Sequence, residues 1–227
     1  DPLQSASPPF AGRLPATLGL IGDTVATRSS FPAAEAKYPW LKTVLDTYYI
    51  SDAHVEEHLA HVARKGVVPA CHRGCDACCR KATVPFTEPE LTAISWYASE
   101  VLQGDLRQRV KQRLIEHETT LECPFLVDGA CSIYPVRPLI CRQFLIKGMP
   151  CSVEEDVAKS RPQDIIPLPR ETVIRPVAMR LLDHWKLGSV GKKKQAFEAG
   201  FIHHNAKDMH EFDWTKIAKT MQHFDEA

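Results

Sequence analysis

Eight cysteines lie between Cys71 and Cys151, and the chain has no others. The dense part reads Cys71-x3-Cys75-x2-Cys78-Cys79, followed by Cys123, Cys131, Cys141 and Cys151. Thiolates are soft donors, and such a concentration is how proteins hold zinc or iron–sulfur clusters. Cys75-x2-Cys78 has the spacing of a knuckle, in which a tight turn points two sulfurs at one ion. Cys71, one helical turn upstream, can join them. Cys78 and Cys79 are neighbours and point in different directions, so both do not suit one zinc. One of them faces a second metal or a second iron, or is buried as a small apolar group. Four plus four donors permit two zinc sites, or one [4Fe–4S] cluster with spare thiols, and the spacing leaves both open.

Disulfides are the competing use of eight cysteines. Secreted disulfide frameworks are mostly short chains without a sufficient core, whereas 227 residues can build one. A bond between the neighbours Cys78 and Cys79 would also be strained. Metal ligation is the better reading, and with it a reducing, cytoplasmic compartment is expected.

Basic residues flank the sulfurs: Arg73, Arg80, Lys81, Arg137 and Arg142. Four thiolates on one Zn²⁺ leave a charge of about −2, which nearby guanidinium groups would offset while donating hydrogen bonds to sulfur. Arg80, Arg137 and Arg142 are the residues expected to support a bound metal or cluster in this way. A geometric condition attaches to the Asp128-Gly129 turn. A two-residue turn puts Cys123 and Cys131 on opposite faces of a hairpin, so a shared site predicts a three-residue loop or a bulge.

Three blocks now stand in order: Cys71-x3-Cys75-x2-Cys78-Cys79-Arg80, then Cys123-Pro-Phe-Leu, then Cys131-Ser-Ile-Tyr-x2-Arg137-Pro138-x2-Cys141-Arg142. Together they resemble the YkgJ-type cysteine-cluster family, over roughly residues 68–151. The resemblance implies a zinc- or iron-chelating domain. Flagellin lysine N-methylases carry a related domain, so it also implies an alternative, an enzyme that modifies a protein or peptide side chain by methylase-like or redox chemistry. No catalytic residue follows from it.

Histidines offer weaker candidates. His54, His58 and His61 share one face of a helix and read as solvent-facing, with metal binding the competing use. His203, His204, Asp208 and His210 cluster near the C-terminus, where a helix would put His204 and Asp208 on one face; the spacing matches no firm metal signature. Cys71, Cys75 and Cys78 also have the spacing of radical enzymes, but the chain is too small and too helical for their barrel. Gly19-Leu-Ile-Gly22 lacks the strand and helix of a nucleotide loop.

The elements that must position these residues read as mostly α: a helical domain with a cysteine-rich cap that contains a small hairpin. Residues 1–32, rich in proline, read as an extended arm. Residues 33–151 form the helical cysteine-cluster domain, and 152–227 a wrapping loop with C-terminal helices packed on the same domain. Within the second part, a helix is expected to about residue 50, and another from a cap at Ser51 or Asp52 to Gly66. Thr87-x-x-Glu90 with Pro89 forms a capping box for a helix to about Leu102. Asp105 caps the next, to about Leu121. Residues 148–176 are expected to be loop, and 176–188 and 192–222 helix. Lysines and arginines balance aspartates and glutamates, 28 against 28, so no basic nucleic-acid footprint is present. The run Lys192-Lys193-Lys194 reads as a solvated helix start. No apolar stretch reaches membrane-span length, and positions 1–30 lack a secretion signal.

Overall fold

A computed structural model describes residues 26–72, 74–80, 83–117, 120–153 and 155–226. Most of the expected arm, together with Arg73 and Lys81, lies outside them. The fold is mostly α, as the periodicity predicts. Helix α1 (Pro32–Lys37) leads into α2 (Pro39–Ala63), which runs unbroken for 25 residues. The expected cap at Ser51 or Asp52 is absent. Both residues sit inside α2 because distant partners satisfy them: Gln143 Nε2 donates to Ser51 Oγ at 3.1 Å, and Arg142 Nη1 to Asp52 Oδ2 at 2.5 Å. Past the end of α2, Gly66 adopts φ +81°, and the Val67 N–H reaches the Val62 carbonyl at 3.1 Å. This left-handed exit is the one predicted.

Helix α2 is the spine of the molecule. Its Leu41, Val44, Leu45 and Tyr48 enter a large core with Phe86, Ile94, Leu114, Phe125 and Met221. Its Val55 and Leu59 enter a smaller core with Leu145, Ile166 and Val173, against which Cys71 packs. After the short α3 (Ala77–Arg80) and strand β1 (Pro85–Thr87) comes α4 (Glu88–Trp96), which continues as a π-helical turn over Tyr97–Val101. The capping box is present, and the Glu90 carboxylate accepts from the Thr87 N–H and hydroxyl at 2.8 and 2.6 Å. Helix α5 (Gly104–Glu116) follows; Asp105 lies in its first turn and is not the cap, and it stops short of Leu121. Its Val110 and Leu114 are buried, and Ile115 is half exposed.

Strands β2 (Leu126–Val127) and β3 (Ala130–Cys131) form the expected hairpin. Val127 faces Ala130, leaving a two-residue turn with Asp128 at φ +51° and Gly129 at φ +70°. Both positive angles mark a type I′ turn, whose twist matches that of the strands. Gly129→Ala is expected to cost about 1 kcal/mol, seen as a lower denaturation midpoint, because a Cβ at this φ is strained.

The second half is more structured than the sequence suggests. Helix α6 (Leu139–Gln143) starts after Pro138. Helix α7 (Val157–Ser160) and a π-helical turn (Arg170–Ile174) interrupt the region expected to be loop. Helices α8 (Arg175–Leu181), α9 (Val190–Glu198) and α10 (Phe201–His204) then lead to a strand, β4 (Ala206–Asp208), before α11 (Thr215–Glu226). The expected helix over 192–222 is therefore broken twice. Gly200 at φ +71° ends its first part. Strand β4 pairs antiparallel with β1, Phe86 opposite Lys207, a contact across 121 positions that no local pattern announces. Helix α10 ends at His204 and Asp208 lies in β4, so the two do not share a helical face.

His117, just past α5, is buried and lies parallel to the His210 ring, centroids 5.5 Å apart, with Trp214 at its edge. Burial, and then the neighbouring His210 and Arg113, hold its imidazole below the ordinary value. The neutral ring is the form the fold prefers. That contribution is complete above the unfolded value of about 6.5 and is lost as pH falls through it. Denaturant midpoints are expected to fall between pH 7.5 and 5.5, and His117→Phe to flatten that fall.

Candidate metal centre

Four short segments carry the eight thiols, and backbone hydrogen bonds draw them together. The Ala70 N–H donates to the Ile146 carbonyl at 2.8 Å, and Pro69 bridges to Lys147, so the approach to Cys71 runs beside 145–147. Gly74, at φ +86°, turns the chain between Cys71 and Cys75. Cys78 and Cys79 lie on α3, and the Cys79 carbonyl accepts from the Cys123 N–H at 2.7 Å. Cys131 ends β3, Cys141 lies in the middle of α6, and Cys151 follows the loop after it. All eight are free thiols.

Two groups result, with Cys78 common to both. Cys71 and Cys151 each lie within electrostatic reach of Cys75 and Cys78, and of each other. Cys123 lies within reach of Cys131 and Cys141, and both of those within reach of Cys78. Cys79 is hydrogen-bonded to the Cys78 thiol, which chiefly raises the pKa of Cys78. Burial pushes the other thiols up: Cys71, Cys123, Cys131 and Cys151 rise, and Cys141 goes to about 12. Their mutual repulsion adds to this. Thiolates gathered so closely need positive charge beside them. A thiophilic cation would supply it, and soft sulfur donors are the chemistry that zinc or iron takes. Among the described residues, no three Cys, His, Asp or Glu side chains stand close enough together to hold one ion.

The hairpin resolves the geometric condition in an unexpected way. The turn has two residues, not the longer loop expected of a shared site, yet Cys123 and Cys131 are neighbours. Strand alternation stops at Leu126, whose N–H turns back to the Cys123 carbonyl at 3.0 Å. Cys123 is therefore in a turn, free of the two-residue alternation that would have put it on the far face.

The arginines act differently from one another. Arg80 pairs with Asp76 at 2.6 Å and Glu122 at 3.2 Å, tying α3 to the segment before Cys123. Arg137 lies over the Tyr134 ring, 4.2 Å from its centroid. Arg142 is buried. It donates to the carbonyls of Arg137 at 3.0 Å and Pro135 at 2.9 Å and to Asp52, and it stacks on Tyr48 at 4.3 Å. The donors of Arg80 and Arg142 are spent on oxygen, so for these two the expected hydrogen bonds to sulfur give way to an effect of charge, whereas the buried Arg137 Nε has no hydrogen-bond partner. Arg137 and Arg142 both favour the thiolate of Cys131.

Sequence reasoning missed the buried groups behind Cys141. Besides capping α4, the Glu90 carboxylate accepts from the Leu139 N–H at 2.7 Å and so holds the first turn of α6. Burial raises its pKa. The buried Tyr48 hydroxyl has no hydrogen-bond partner. A capping box is visible in the sequence, but nothing there shows that its glutamate serves two helices. His54 approaches Glu57, at 4.0 Å, and His61 is exposed. His58 is half-buried, and its Nε2 has no hydrogen-bond partner.

Residues 70–163 match the CxxCxxCC family, described as a "Putative zinc- or iron-chelating domain". The matched span is less than half of the chain and contains all eight cysteines. No curated protein and no solved structure matches the chain.

Proposed function

Since residues 70–163 are a domain of this cysteine-cluster family, we propose that the chain binds a polynuclear thiolate centre, a pair of zinc ions or an iron–sulfur cluster. The observation that supports this is the sharing of Cys78 between two thiol groups. A single zinc takes four thiolates, and the donors here exceed that number. Cys71, Cys75, Cys78 and Cys151 would hold one part of the centre, and Cys79, Cys123, Cys131 and Cys141 the other. Bound metal would supply the positive charge that these thiols lack and would fasten the segments 70–80 and 123–151 onto α2 and α4. Arg137 and Arg142 would offset the anionic charge of the loaded site, and Arg80 would hold its two halves together.

Elemental analysis with a visible spectrum, on protein purified without oxygen, tests the proposal. Two zincs per chain without colour, or about four irons with matching sulfide and a broad band near 400 nm, are the expected results. One metal ion per chain would overturn the polynuclear reading.

A further inference from the structure

Two buried hydrogen-bond donors beside the thiols are unspent. The Tyr48 side chain is 2% exposed, and its hydroxyl has no hydrogen-bond partner. Arg137 Nε is buried without one too. A polar group closed off from water and left unpaired costs free energy, so each calls for an acceptor. Tyr48 lies in α2 and Arg137 just before α6, so the two come from different segments.

Among the ionisable groups around the Tyr48 hydroxyl, one acceptor is open. The hydroxyl lies within electrostatic reach of the Glu90 carboxylate, the Arg142 guanidinium and the Cys141 thiol. Arg142 can only donate. It stacks on the Tyr48 ring and gives its N–H groups to Asp52 and to backbone carbonyls. Both Glu90 oxygens are engaged, Oε2 by the Thr87 N–H and hydroxyl and Oε1 by the Leu139 N–H. Cys141 remains. It packs against the large core that contains Tyr48, and the Arg137 guanidinium is within its electrostatic reach as well. A thiol accepts weakly, whereas the thiolate that a metal holds accepts strongly. Metal binding would therefore supply the partner that the hydroxyl lacks.

We infer that Tyr48 is a positioning residue of the metal centre, its hydroxyl donating to the Cys141 thiolate of the loaded site. The inference rests on the metal-binding reading above. It joins the spine helix α2 to a metal ligand through a group that touches no metal itself, as the partners behind metal ligands commonly do.

Co²⁺ binding to the full chain tests it. Cobalt takes thiolate ligands and reports them through a sulfur-to-metal charge-transfer band. Tyr48→Phe removes only the hydroxyl, and the variant is expected to bind Co²⁺ about 10-fold more weakly. Its band is expected at longer wavelength, because a sulfur that loses a hydrogen bond gives up charge more readily. The metal-free variant is expected to melt no lower than the metal-free wild type, since a buried hydroxyl without a partner has gone. Unchanged Co²⁺ affinity or an unmoved band would overturn the inference and leave the metal reading standing. A lower melting temperature of the metal-free variant would show that the hydroxyl bonds elsewhere in the fold, and would overturn it too. A wild-type chain that takes up no Co²⁺ would remove both readings.

Discussion

Exhaustive chelation under reducing conditions is expected to lower the melting temperature by about 10–20 °C and to make all eight thiols reactive. The outer segments, 68–80 and 148–153, have little else to hold them, whereas 123–146 is anchored by buried Phe125, Ile133, Val136 and Ile146. Ala70 to Ile146 and Cys123 to Cys79 are among the few backbone hydrogen bonds that cross between them. Val68, Met149 and Val153 are large apolar residues of these loops that remain exposed, so burial adds little there. The stabilisation therefore rests on metal–sulfur bonds, and ~5 kcal/mol is a conservative share of what structural thiolate sites supply. Limited proteolysis of the metal-free chain should cut first within 68–80 and 148–153, while α2 and α11, packed in the large core, stay protected. If the metal-free chain melted unchanged, with its thiols still unreactive, the thiols would not be metal ligands.

Replacing Arg142 by Met is expected to cost about 3–5 kcal/mol, because it breaks a buried ion pair and leaves the other partner uncompensated. Asp52 would face the interior without its partner at 2.5 Å. The carbonyls of Pro135 and Arg137 would lose donors in a buried place, where an unmade hydrogen bond costs most. Arg142→Lys should recover little, since one ammonium cannot reach an acid and several carbonyls at once as the planar fork does. Chemical denaturation of the metal-loaded variants measures the cost. A loss below about 1 kcal/mol for the Met variant would show that the pair is relieved by solvent. Because Arg142 also favours the Cys131 thiolate, a parallel fall in metal affinity is expected for Met and a smaller one for Lys.

Several features were legible because neighbours in the chain encode them. Thr87 and Glu90 close a capping box through contacts three residues apart. Asp128-Gly129 selects its turn through the conformational freedom of those two residues. The helical period of α2 and α5 is a local repeat. Errors came where a distant partner overrode a local signal. Ser51 and Asp52 have cap chemistry, but Gln143 and Arg142 supply what a cap would otherwise seek, so α2 runs through. Lys207 and its neighbours were expected in a helix, yet β1 draws them into a strand.

The sequence by itself determined the mostly α class, the soft character of the donors and the match of residues 70–163 to the cysteine-cluster family model. Residue identity and short spacing carry that information, since a thiol is a metal donor wherever the chain places it. Only the tertiary structure decided that Cys78 lies within electrostatic reach of both Cys131 and Cys151, that Cys123 escapes the strand alternation, and that Arg142 spends its donors on oxygen. Each depends on segments far apart in sequence being brought together, and such meetings are set by how the two cores pack around α2.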